Sequence, residues 1–331
     1  MNTCAITVVR THGRRLAKLI RPDGTIEGYD LARTVDLIEH PIPDLATLHG
    51  LLRRMQHRPD CAIVRGCPAD RNRTRRVRRL LFDDAKTGEP ATLLEMPRRW
   101  LALDLDSIPG PASLDLFDLG ACARVAVATL PVAFSHKAVI VQATASHTFK
   151  PGIRLRLWIW LARPMVGADL KRWLDTSPVD RSVFGAAQPI YTAAPVFDGR
   201  ANPLPLRVAL VPGGAEVQPP SPASLAPAPR LPSMPIRVHS NAAATYALAA
   251  LENAVARILT AKDRHPAIMS EARSLARLVE AGLLTSQAMA SALHEAARSV
   301  GKNDLDEIDK ILEWAAGHPA GAVMEVRGNA R

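Results

Sequence analysis

Apolar and polar positions alternate over residues 4–10 and 14–20 and then meet the turn Pro22-Asp23-Gly24, which predicts short strands at the amino end. Between 45 and 57 the period lengthens. Leu45, Leu48, Leu51, Leu52 and Met55 fall on one side of a predicted helix. "CAIVRG" at 61–66 reads as a buried strand, and "RRWLALDLDSI" as another that ends with Asp104 and Asp106. Residues 115–130 predict a helix and 138–144 a strand. "IRLRLWIWL" (153–161) alternates strictly, with Arg154, Arg156, Trp158 and Trp160 on one face and Leu155, Leu157, Ile159 and Leu161 on the other. A short helix over 168–175, an extended segment at 188–197 and a strand at 206–211 follow.

The pattern then changes. Eight of the 27 prolines lie between Pro212 and Pro235, mixed with Ala and Ser and nearly without charge, which predicts an extended linker. Beyond it only helical spacing remains: Leu248, Leu251, Val255 and Ile258; Leu275, Leu278 and Val279; Met289, Leu293, Ala297 and Val300; Leu305, Ile308, Ile311 and Leu312. Gly282 and Gly301 fall where helices end. The expected fold class is α+β followed by a small all-α bundle: a mixed domain over 1–212, a Pro-rich linker over 213–240, helices over 241–318 and a tail over 319–331. No internal repeat and no Walker A loop is present, which excludes an attached NTP-driven motor.

Composition adds a partner. At 331 residues and 47% hydrophobic the chain is globular, and a formal net charge of +10 favours a polyanion. The densest cationic run holds Arg71, Arg73, Arg75, Arg76, Arg78 and Arg79 and reads either as phosphate-binding or as a solvated helix face. Aromatics at 4% argue against large base-stacking platforms. Cys4, Cys61, Cys67 and Cys122 have neither CxxC nor zinc spacing, as in a reduced, cytosolic protein. No apolar run approaches the ~20 residues of a membrane span, and the amino end lacks a signal-peptide pattern. A bacterial cytoplasmic location with no membrane partner is expected.

Three islands carry candidate chemistry. Asp104 and Asp106 share one strand face; their mutual repulsion is relieved by a hard divalent cation, Mg²⁺ or Mn²⁺, or else they are solvated turn aspartates. Ser146, His147 and Lys150 sit in a turn leading to Arg154 and Arg156, a plausible triphosphate cradle or an amphipathic strand whose arginine stems cover apolar surface. Asp180, about 75 positions after the first pair, either completes a three-carboxylate metal site or caps a turn.

The order of these islands resembles the catalytic core of the archaeo-eukaryotic primase superfamily, most closely the primases and primase-polymerases of plasmids, prophages and integrative elements. "CAIVRG" and "VDRSVFGAAQPIYTAAP" look typical of that group, and "RHPAIMSEARSLARLVEAGLLT" is similar to the helical domain that follows such cores. The resemblance implies a modified RNA-recognition-like fold. It implies a two-metal Mg²⁺ or Mn²⁺ site at Asp104, Asp106 and Asp180, single-stranded DNA as template, NTP or dNTP as substrate, and a replicative helicase or polymerase as partner. The family's second motif has a small residue, any residue and a histidine on the strand; here the strand offers Arg154-Leu155-Arg156 and Ser146-His147 precedes it. Arg156 is the favoured triphosphate contact, with Arg154, His147, Ser146 and Lys150 in support. The arginines of 71–79 would hold template phosphates. Three rivals stand beside a primase: a non-catalytic replication initiator that binds DNA; a metal-dependent nuclease, although no Asp…Glu-x-Lys pattern lies near Asp104; and a structural RNA-recognition module, which the few aromatics on alternate strand positions disfavour.

Overall fold

The computed structural model describes residues 4–199, 201–226, 240–261, 263–302 and 305–320. The chain divides into two compact units, 1–226 and 227–331. In the first, β1 (Ala5–Arg10) leads through the short pair β2 (Leu19–Ile20) and β3 (Ile26–Glu27) to β4 (Asp36–Pro41), α1 (Leu45–Met55) and β5 (Cys61–Val64). Then come β6 (Cys67–Pro68), β7 (Leu93–Leu94), β8 (Arg98–Ile108), α2 (Leu119–Val127), β9 (Val139–Ala143), β10 (Ile153–Met165), α3 (Gly167–Trp173), β11 (Val196–Phe197) and β12 (Val208–Val211).

Two antiparallel sheets matter for the site, one ordered β4-β1-β5 and the other β12-β9-β10-β8. They share one apolar core containing Ile6, Val8, Ile63, Trp100, Leu155 and Trp158. Trp100 Nε1 donates to the Ala5 carbonyl at 3.0 Å and ties them together. α1 starts where Asp44 accepts a hydrogen bond from the Thr47 N–H at 2.7 Å. It buries Leu48, Leu51, Leu52 and Met55, each stabilising by roughly 1.5–3 kcal/mol. α2 is capped the same way by Asp118.

Several expectations are revised. β10 is an interior strand between β8 and β9, and Trp158 and Trp160 are as buried as Leu155 and Leu157, so its alternation does not separate a dry face from a wet one. The segment 188–197 forms only β11, preceded by a 3-10 turn at Arg181–Phe184. The boundary expected at 212 falls inside the first unit. Val217 donates to the Trp160 carbonyl at 2.9 Å, and Leu225 lies in the core. The remainder of the expected linker, residues 227–239, and the tail over 321–331 lie outside the described residues.

In the second unit α4 (Ser240–Thr260), α5 (Arg264–Glu280), α6 (Ser286–Ser299) and α7 (Leu305–Gly317) enclose a separate apolar cluster that includes Ile258, Leu275, Leu278, Leu293 and Ile308. Gly282 and Gly301 follow α5 and α6 at positive φ. No helix among the described residues is long and apolar enough to cross a membrane.

Candidate functional site

β8 is the edge strand of its sheet, and its antiparallel register with β10 sets Arg156 across from Asp104. The two close an ion pair, Arg156 Nη2 to Asp104 Oδ2 at 2.6 Å, while Arg156 Nη1 donates to the Tyr191 carbonyl. The Asp104 side chain is only 18% exposed. Its second oxygen, Oδ1, is buried and has no hydrogen-bond partner. Leaving such an acceptor unanswered costs about 1–3 kcal/mol, more for a charged group.

Beyond Asp104 the ladder slips. Leu155 pairs with Leu105 but Ile153 pairs with Ile108, so Asp106 and Ser107 together oppose Arg154. This β-bulge carries Ser107 to φ 61°, in the left-handed region that L side chains avoid. Gly152 makes room for it, since a Cβ there would lie 3.0 Å from the Ser107 backbone. The consequence is an outward Asp106, 67% exposed, with Arg154 Nη1 at 3.2 Å and Arg154 Nη2 on Ser107 Oγ.

Asp180 reaches the same strand. Its N–H donates to the Asp104 carbonyl at 2.9 Å, so residues 75 or so apart in sequence meet at the free edge of β8. Its carboxylate, however, caps the following 3-10 turn, Oδ1 accepting from the Ser182 N–H at 2.8 Å and Oδ2 from Ser182 Oγ at 2.9 Å. The expected three-carboxylate cluster is therefore assembled at the backbone and not at the carboxyl groups. Among the described residues no group of three His, Cys, Asp or Glu side chains could hold a metal ion. Asp104 keeps one carboxylate oxygen unanswered and Asp106 is open to solvent, hard oxygen donors of the kind Mg²⁺ or Mn²⁺ takes, while both Asp180 oxygens are engaged by Ser182.

The other predicted residues separate into framework and surface. His147 is fully buried. Its Nε2 donates to the Leu116 carbonyl at 2.8 Å and its Nδ1 accepts from the Arg154 N–H at 3.2 Å. Burial holds its pKa below the usual histidine value, against the opposite pull of the Leu116 bond. A neutral ring with both nitrogens committed has nothing left for a phosphate, so His147 braces the loop instead. Ser146 is buried beside Thr144, and Lys150 is exposed. The arginine run is irregular rather than helical. Arg73 and Arg78 pair with Glu89 and Asp84, and Arg79 donates to the Ala187 carbonyl, while Arg71, Arg75 and Arg76 are exposed.

Sequence reasoning missed two tyrosines. Tyr29 and Tyr191 stack with ring centroids 3.5 Å apart, and Lys18 Nζ lies 5.7 Å from the Tyr29 centroid. Burial pushes the Tyr29 hydroxyl up to about 12, with Arg156 opposing that rise and Asp104 and Asp106 adding to it. The aromatic pair thus belongs to the electrostatic surroundings of the acid–arginine ladder. Its two members come from segments with no periodicity, and only their packing reveals them. No protein-family model, curated protein or solved structure matches this chain.

Proposed function

We propose that this chain is a metal-dependent nucleotidyl transferase acting on single-stranded DNA, a primase or primase-polymerase of a bacterial mobile element. The observation that carries the reading is the paired ladder Asp104–Arg156 and Asp106–Arg154, with one buried carboxylate oxygen unanswered at the sheet edge. Asp104 and Asp106 would hold Mg²⁺ or Mn²⁺, with Asp180 as a third ligand once released from Ser182. When bound, such ions lower the pKa of a 3′-hydroxyl and neutralise the departing pyrophosphate. Arg154 and Arg156 balance the carboxylates across the ladder, and their guanidinium groups would take triphosphate oxygens once metal binding draws Asp104 and Asp106 away from them. The chemistry requires no protein nucleophile.

The split unit β8-α2-β9 with β10 inserted antiparallel between its two strands supports a primase-type, modified RNA-recognition-like core within the first unit, although β12 joins the sheet beside β9 and not beside β8. In the same reading the four helices of the second unit are the helical domain that follows it, and a helicase or polymerase receives the product. The decisive measurement is nucleotide incorporation on a single-stranded template with Mg²⁺ or Mn²⁺, comparing NTPs with dNTPs. The Asp104→Asn/Asp106→Asn variant is expected to make no product while melting at the wild-type temperature. Undiminished product from that variant overturns the reading.

One observation favours a second reading. Asp180 is self-capped and each remaining aspartate already has its arginine, an arrangement that also suits a DNA-binding initiator without catalysis. Tight, sequence-specific duplex binding with no incorporation would select it.

A further inference from the structure

A cleft of about 650 Å³ is lined by His12, Arg14, Asp30, Arg33 and Arg76, with Leu31 on its wall. Its charge is one-sided. Arg14, Arg33 and Arg76 are exposed, and none of them forms an ion pair among the described residues. The acids nearby are already engaged. Asp30 accepts from the Arg15 N–H at 2.7 Å. Asp36 is held by Arg10 at 2.9 Å, by His12 at 3.0 Å and by the Arg76 N–H at 3.0 Å. Burial alone would raise the Asp36 pKa, but these bonds outweigh it and keep the carboxyl well below the usual range. Three exposed arginines therefore line one opening against a single carboxylate, Asp30, which is itself shared with the Arg15 N–H and lies 3.6 Å from Arg15 Nη2.

The cleft also leads somewhere. Leu31 and Ala32 line it and line a smaller adjoining cavity whose wall includes Tyr191. Tyr191 stacks on Tyr29, and its carbonyl receives Arg156 of the ladder. Leu31, on the wall of the cleft, is 81% exposed, which leaves apolar surface open beside the cations. Cationic and apolar surface side by side is what a single strand requires, since phosphates need the charge and unpaired bases need the apolar contact.

We propose that this cleft is a single-stranded nucleic-acid groove, with Arg14, Arg33 and Arg76 on the phosphates and the exposed Leu31 side chain against a base. The inference goes beyond the catalytic reading, because strand binding here needs neither metal nor nucleotide. It relocates the phosphate contacts expected of the 71–79 run: Arg76 remains, Arg73, Arg78 and Arg79 are engaged by protein groups, Arg71 and Arg75 are exposed but do not line the cleft, and Arg14 and Arg33 are added.

The test is fluorescence anisotropy of a labelled oligodeoxynucleotide with the full chain across a salt series, without metal or nucleotide. Arg14→Ala/Arg33→Ala/Arg76→Ala is expected to reduce the slope of log K against log salt by about 2, which is a loss of roughly thirty- to a hundredfold near 0.15 M salt. The corresponding triple Lys variant should retain the slope, which separates lost charge from lost folding. Leu31→Ser should weaken binding roughly fivefold with the slope unchanged, as expected for a lost apolar contact to a base. Wild-type affinity and slope in the triple Ala variant overturn the proposal. So does equal competition by duplex DNA or by polyglutamate. Asp104→Asn/Asp106→Asn should bind the strand like wild type, whereas absent incorporation by the wild-type chain together with cleft-dependent binding removes the catalytic reading and leaves the groove standing.

Discussion

The two ends of β8 are built to opposite rules. At its start, Arg98 is fully buried and donates to the Arg65 carbonyl at 2.9 Å and the Gly66 carbonyl at 3.1 Å. Arg65 beside it donates to the Trp100 and Met165 carbonyls, each at 3.0 Å, and lies over the Trp100 ring. Burial and the neighbouring Arg98 lower the Arg65 pKa to about 9, so the cluster tolerates strong desolvation to keep those carbonyls answered. At the other end the backbone bulges, Ser107 takes a positive φ, one Asp104 oxygen is orphaned and Asp106 is turned to solvent. Strain and unanswered polar atoms collect at one end of a single strand, as they do where a site is kept for a ligand. The arginines that look alike in a charge count thus divide into scaffold and surface.

The sharpest way to break the comparison is to neutralise each end in turn. Asp104→Asn should lower incorporation on the order of a thousandfold, matching the several kcal/mol that a bound metal supplies to the transition state. It should change unfolding free energy by no more than about 1 kcal/mol, because Asn still offers Arg156 an acceptor. Arg98→Ala should do the reverse in kind: it removes a buried donor to several carbonyls and leaves a void, costing about 3 kcal/mol or more in a urea titration. If Arg98→Ala proves mild and Asp104→Asn strongly destabilising, the assignment of scaffold and site is inverted.

A smaller effect separates the two candidates for the triphosphate contact. Arg156→Ala should raise the nucleotide KM about tenfold, the worth of one charge-assisted contact. His147→Ala should leave KM unchanged and instead lower stability by about 1–3 kcal/mol, because both ring nitrogens hold backbone groups. A KM effect from His147 with none from Arg156 would return the role to the loop.

What was legible in the sequence follows from where periodicity exists. The helical spacing of Leu48, Leu51, Leu52 and Met55 marks a real element because it gives one buried face with a fixed repeat, while 153–161 is legible by its β-branched and aromatic run although both of its faces are buried. The placement of Asp104, Asp106, Arg154 and Arg156 on one ladder follows from strand alternation. β4 was not legible, since "DLIEHP" has charged residues and a terminal proline that β1 pairing overrides. Nor was the engagement of residues 213–226 with the first unit, where Val217 docks on β10 by a single bridge that leaves no pattern. The bulge at Asp106–Ser107 depends on Gly152, which lies far away in sequence and matters only once the strands pair. His147 looked like chemistry because an isolated histidine carries no record of its own burial.

The smallest predicted effect reads the electrostatic link between the aromatic pair and the acid end of β8. Tyr29 should titrate late, near 12 instead of the ordinary 10, mainly because its hydroxyl is desolvated. Its neutral form is the one the fold prefers, so stability is unaffected below pH 10 and falls as pH rises from 10 towards 12, where the unfolded chain ionises and the folded chain resists. Absorbance at the phenolate band, with Tyr29→Phe to identify the late transition, gives the midpoint. The signs of the neighbours then become a test. Asp104 raises the Tyr29 pKa and Arg156 lowers it, so Asp104→Asn should move the midpoint down and Arg156→Ala should move it up. Opposite shifts from two adjacent members of one ladder cannot come from a general loosening of the fold, which would move both in the same direction. A midpoint that ignores both substitutions would detach Tyr29 from the ladder and remove the aromatic link between the cleft and the carboxylates.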